Sequence, residues 1–220
     1  MKLLALETAN EQCSICLVND SQNVFFSLND QLKAQTKTLL PMIEQGLQQN
    51  GWSTDQLDVI AFSRGPGSFS GVRINAAVTQ ALAWANDLPV IPVSTLQALA
   101  QAAYREHGLT QVTAVLDARM QEVYVANFVL DQHDIMQAVS EEKLLSYADA
   151  QAEIQFTAVG SGAHLLHPET TFGNISPTAE DIAKIAVCFA AKQQWVTAEQ
   201  ALPVYLRDNA WKKIPEQGKP

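Results

Sequence analysis

The sequence predicts an α/β protein of two lobes, each a β-meander followed by helix, strand and helix. Three observations carry this. Apolar runs of strand length alternate with longer amphipathic stretches, the mark of mixed strands and helices. The succession starts again after Gly108, as an internal repeat would. A run of three glycines, a proline and two hydroxyls, Gly65-Pro66-Gly67-Ser68-Phe69-Ser70-Gly71, joins an apolar strand pattern to an alanine-rich helix pattern. With 220 residues, 47% of them hydrophobic, the chain can bury a core in one large domain or two small lobes.

Residues 3–6, 13–18 and 24–28 read as three short strands joined by polar turns, an antiparallel meander. Residues 32–49 follow as a helix, with Leu39, Leu40, Met42, Ile43 and Leu47 covering more than a narrow stripe. Pro41 should kink this helix or mark a fresh start, and Asn50-Gly51 should end it. Residues 59–62 read as a buried strand, the glycine run leads into a helix over 74–84, and 90–93 and 96–107 give a further strand and helix. In the second unit, 112–116, 123–130 and 135–139 form a meander, then a helix at 147–153, a strand at 156–159 and a long amphipathic helix at 178–194. Lobes at 1–107 and 108–220 follow from this division.

The glycine run is the most constrained stretch. At a strand-to-helix junction it can turn several backbone N–H groups toward an anion, which makes Gly65, Gly67, Ser68 and Gly71 candidate cofactor-binding positions. The same spacing describes a tight turn with Ser68 or Ser70 as helix cap, and the lysine of a phosphate-binding P-loop is missing. Cys13 and Cys16 spell C-x-x-C, but positions three apart on a strand point to opposite faces and do not share a metal. His164 and His167 have no evident third ligand. Asp117 and Arg119 read as a structural ion pair rather than a ligand site. Ala76, Ala77, Ala81 and Ala83 keep their helix thin, so that another helix can approach it closely.

Three runs, Arg64-Gly65-Pro66-Gly67-Ser68-Phe69-Ser70-Gly71-Val72-Arg73, Asp117-Ala118-Arg119-Met120-Gln121-Glu122-Val123-Tyr124 and Pro203-Val204-Tyr205-Leu206-Arg207, resemble the TsaB (YeaZ) family. The similarity spans residues 1 to about 213, with the runs in the family's order. The resemblance implies the actin-like ATPase (ASKHA) architecture, which matches the duplication. It implies a non-catalytic subunit for making threonylcarbamoyladenosine in tRNA, supporting the transferase TsaD, which modifies adenosine 37, with the ATPase TsaE joining. No cofactor is expected of the chain itself, ATP being bound by the partner subunits. Pairing through the first lobe's helices nominates Leu39, Leu40, Ile43, Leu47, Arg73, Ala77 and Ala81 as partner-binding residues. Gln35 stands where the family usually has histidine, and Glu7-Thr8-Ala9-Asn10 lacks the glycine of a phosphate-binding hairpin. No H-x-x-x-H of the kind TsaD uses for its metal occurs.

A net charge of −9 argues against a protein that holds RNA by itself, leaving tRNA contact indirect or through Arg207, Lys212 and Lys213 around Trp211. The absence of a bilayer-length apolar run and of a signal-peptide pattern, with an odd count of three cysteines, places the chain in a reducing cytoplasm. Self-association in the partner's absence is left open. Two other classes remain as alternatives: a metal- or serine-dependent peptidase, which needs a metal site or a nucleophile with its base, and an actin-like small-molecule kinase, which needs a tight ATP site.

Overall fold

The computed structural model describes residues 1–31 and 34–207, in two five-stranded sheets with helices on both faces of each. The first sheet has β1 (Lys2–Glu7), β2 (Cys13–Asn19), β3 (Gln22–Asn29), β4 (Val59–Ser63) and β5 (Val90–Val93) in the order β3-β2-β1-β4-β5. The first three strands form the predicted antiparallel meander, and β4 and β5 add in parallel. The second sheet has β6 (Gln111–Asp117), β7 (Glu122–Leu130), β8 (Met136–Ala138), β9 (Lys143–Ser146) and β10 (Thr157–Val159). Its order is β10-β6-β7-β8, β9 also pairs with β7, and only β10 lies parallel to its neighbour. Two sheets, each an antiparallel meander extended in parallel, by β4 and β5 in the first and by β10 in the second, make up the predicted two-lobed α/β fold.

Strand alternation explains why both faces of the first sheet are dry. Leu4, Leu6, Ile15 and Leu17 point to one side, where α1 (Gln35–Gln49) and α2 (Phe69–Asn86) cover them. Leu3, Ala5, Cys16 and Val18 point to the other, where α6 (Ala179–Ala191) supplies Ile182, Ala183, Ile185 and Ala186. Helix α3 (Thr95–His107), which ends the first half, packs Leu96, Leu99 and Ala103 on the second sheet against Val112, Ala114 and Phe128. The remaining face of that sheet is covered by α4 (Tyr147–Glu153) and α5 (Ala163–Leu166). Each half thus lends its last long helix to the other's sheet. Among the described residues no helix is long and apolar enough to cross a membrane.

Two details differ from expectation. Of the two outcomes expected at Pro41 the fresh start does not occur, for α1 runs unbroken from Gln35 to Gln49. Pro41 lies on the exposed face, so water can serve the carbonyl that loses its helical donor. The strand β9 and the short α5 were not foreseen, both being too short to show a period.

Candidate functional site

The glycine run turns from β4 into α2, and what it meets is the tip of the first hairpin. A Cβ on Gly67 would fall 2.4 Å from the Ala9 carbonyl oxygen, and one on Gly71 would fall 2.0 Å from that of Thr8. The contact is reciprocal: Ser68 N donates to Ala9 O at 2.7 Å and Thr8 Oγ1 donates to Gly71 O at 2.8 Å. Ser68 caps α2, its Oγ accepting from Gly71 N at 3.5 Å. Gly65 has a left-handed φ of 98° beside the Val204 carbonyl. Close packing on the hairpin tip thus requires glycine at 67 and 71 and Ser68 serves as the helix cap, while Gly67 and Ser68 also line the cleft between the lobes.

Behind the hairpin tip, Glu7 is fully buried at the end of β1. Its Oε1 accepts from the Ala9 N–H. Burial pushes the carboxyl up to about 7, against the opposing pull of Ser63 and of the Ala9 and Asn10 backbone N–H groups. Asn75 of α2 donates to Leu6 O, Ser63 O and Ser63 Oγ at 3.2, 3.2 and 2.8 Å, tying α2 to β1 and β4. Glu7 and Thr8 thus fix the turn, as the missing glycine suggested.

Between the lobes lies a cleft of about 970 Å³. The three separate runs singled out in the sequence meet there: Phe69 and Arg73 from the first, Asp117, Arg119 and Tyr124 from the second, Val204, Tyr205 and Arg207 from the third. The Arg73 guanidinium lies 3.3 Å from the Phe69 ring centroid and 5.3 Å from that of Tyr205. Arg119 pairs with Asp117 at 3.0 Å and reaches Glu11 of the other lobe at 3.6 Å, so the expected Asp117–Arg119 pair forms. Arg119, Met120 and Gln121 all have positive φ, an uncommon run without glycine, and Asp117 Oδ1 holds it by accepting from Arg119 N at 2.8 Å. The segment 201–207 straps the lobes: Val204 N donates to Arg64 O at 2.8 Å, and Arg207 donates to Ala118 O at 3.2 Å while pairing with Glu122. Arg207 thereby ties the strap to the second lobe while lining the cleft. Lys212 and Lys213 lie outside the described residues.

The nominated partner-binding residues divide. Leu39, Ile43 and Leu47 are buried against Leu4, Leu6, Ile15 and Leu17, and this corrects their placement on a docking face. Gly46 lets α1 lie this close, because a Cβ there would fall 2.8 Å from Phe25. Leu40 is 56% exposed, and Arg73, Ala77 and Ala81 line the outer face of α2. Sequence reading missed the aromatics at the ends of that row, Phe69 and Trp84, although four-residue steps from Phe69 through Arg73, Ala77 and Ala81 pass one turn from Trp84. At 1.5 Å per residue the row is about 22 Å long, enough to seat a partner helix. Cys13 and Cys16 belong to opposite cores, as predicted. His164 lines the cleft, while His167 is exposed outside its lining.

Comparison with known proteins gives consistent findings. A family model described as "TsaD: tRNA N6-adenosine threonylcarbamoyltransferase" matches residues 30–155. The tRNA threonylcarbamoyladenosine biosynthesis protein TsaB of Escherichia coli K12 is 39% identical, covering 98% of this chain and 99% of its own. The protein of that name from Haemophilus influenzae is 35% identical, with 98% of each chain covered. The solved structure of YeaZ from Pseudomonas aeruginosa superposes with a TM-score of 0.85 at 37% identity, covering 93% of this chain and 99% of that one.

Proposed function

The chain belongs to the TsaB family of tRNA threonylcarbamoyladenosine biosynthesis proteins, and from that premise we propose that it serves as a non-catalytic subunit that docks the TsaD transferase in the cytoplasm. TsaD carries out the transfer to adenosine 37, TsaE joins the assembly, and the ATP is held by those subunits. The docking face is the outer side of α2 with Leu40 of α1 beside it.

One observation carries this reading. Helix α2 leaves Phe69, Ala77, Ala81 and Trp84 in solvent beside Arg73, a largely apolar row with a thin alanine centre, although its other side is packed into the core. A helix that is apolar on both sides is normally covered on both. Gly67 and Gly71 of the loop before it are meanwhile packed against the hairpin tip.

An Ala81→Arg variant tests the reading. Ala81 is exposed, so the substitution leaves the core intact while placing a long charged side chain where a helix must approach. The expected result is an unchanged melting temperature, loss of co-elution with the transferase, and failure to restore the modified nucleoside in tRNA of a strain lacking the gene. Undiminished co-elution would refute the α2 face.

A further inference from the structure

The outer face of α2 does not stop at Ala81. One turn further on, the helix ends in a groove of about 480 Å³ that the cleft and its three runs do not use. Its floor is small, from Ala83 and Ala198, and its lining includes the indoles of Trp84 and Trp195, 68% and 44% exposed. Asp87 and Glu199 also line it. We propose that this groove receives a lysine- or arginine-bearing segment of the protein partner, an inference that rests on the docking role argued above.

The groove is built on fixed elements. Asp87 ends α2 in a left-handed conformation, and Leu88 N turns back to Ala83 O at 2.9 Å. Val196 bridges antiparallel to Val90 of β5 through bonds of 2.9 and 2.8 Å, which holds the neighbouring Trp195 at the edge of the first sheet. A 3₁₀ turn at Ala198–Gln200, with a capping box between Thr197 and Gln200, fixes the side that carries Glu199. Both tryptophans are therefore displayed by ordered backbone.

The chemistry selects a cation. Among the described residues neither Asp87 nor Glu199 takes part in a salt bridge, and the whole chain carries a net charge of −9. An indole face is the best aromatic acceptor for an ammonium or guanidinium group, and the apolar stem of Lys or Arg suits the alanine floor. Tryptophan is also the residue type most enriched where binding energy concentrates. An acidic or uncharged segment would leave both carboxylates without a counter-charge.

Calorimetric titration of the full-length chain with the purified transferase, at about 50 mM and about 300 mM salt, tests the inference. Trp84→Ala should weaken binding by about 30-fold, the loss typical of an interface anchor. Asp87→Asn with Glu199→Gln should weaken it several-fold and flatten its salt dependence, and Asp87→Lys with Glu199→Lys should weaken it further. Charge reversal that leaves affinity unchanged or improves it would overturn the proposal. So would a wild-type chain that sediments alone as a dimer and becomes monomeric with Trp84→Ala, since the occupant would then be a second copy. Loss of binding in Ala81→Arg with wild-type affinity in the groove variants would refute the groove while leaving the docking role standing. A wild-type chain that does not bind the transferase would refute the docking role itself.

Discussion

Replacing Glu7 with glutamine should stabilise the protein at neutral and alkaline pH and remove part of its pH dependence. The carboxyl is fully buried and titrates near 7 in the folded chain against an ordinary value of 4.5. Because the folded value is the higher one, the folded state holds its proton more tightly. Stability from this group is fully present below about pH 4.5 and is lost as pH rises through about 7. The shift from 4.5 to about 7, at 1.36 kcal/mol per pH unit, gives roughly 3 kcal/mol in total, most of which falls between pH 5 and pH 8. Glutamine keeps an oxygen for the Ala9 N–H and carries no charge to desolvate. Other buried or hydrogen-bonded carboxylates, such as Asp131 and Asp181, slope the wild-type curve in both directions. The quantity to measure is therefore the difference between variant and wild type, from urea unfolding followed by circular dichroism at pH 5, 6, 7 and 8. That difference should move in the variant's favour by roughly 2–3 kcal/mol across the range. Parallel curves would refute the account of Glu7 as a carboxylic acid held at the cost of desolvation.

Gly71→Ala should lower stability by about 2–3 kcal/mol in the same assay, because the new methyl must displace the Thr8 backbone rather than a flexible side chain. If it melts like the wild type, the hairpin tip does not fill the glycine loop. Arg105→Ala should cost about 3 kcal/mol by chemical denaturation, since Asp181, 1% exposed at its side chain, loses the bidentate partner that reaches it at 2.9 and 3.1 Å. A cost below about 1 kcal/mol would mean that the capping contacts to Thr178 suffice for the buried carboxylate.

The order of elements was legible because each has its own punctuation. The strand-to-helix junction is marked by glycine and proline, and the first three strands by polar turns at Asn10 and Asp20. What fills the glycine loop was not legible, because the Thr8 and Ala9 carbonyls lie some sixty residues away in sequence. The division of α1 could have been read: Leu39, Ile43 and Leu47 stand four apart on one row, with Met42 and Gly46 beside them, and Leu40 falls off it. Treating all its apolar residues as surplus placed three core residues on the surface. The α2 face was the harder case, since alanine suits both a core and a docking face, and only the packing separates exposed Ala77 and Ala81 from buried Ala76 and Ala83. Periodicity marked 178–194 as amphipathic without saying which sheet its apolar face would meet.

That last point bears on whether the halves are independent. In α6, Ile182, Ala183, Ile185 and Ala186 are completely buried on the first sheet against Leu3, Val18, Val59, Ile91 and Val93. Cutting the chain at Gly108 would return those five sheet side chains to water at about 1.5–3 kcal/mol each, or about 8–15 kcal/mol together. This equals the whole stability of an ordinary domain, about 5–15 kcal/mol. The second sheet suffers in the same way, for Leu96, Leu99 and Ala103 of α3 leave its face with the first half. Residues 1–107 and 108–220 expressed separately should each lack a cooperative thermal transition, and mixing them should restore one. A cooperative melt of 1–107 alone near the temperature of the whole chain would show that the exchanged helices are ornaments to two self-sufficient lobes. If the transition appears only on mixing, the lobes are one folding unit, and the cleft between them keeps its shape because neither side can exist without the other's helix.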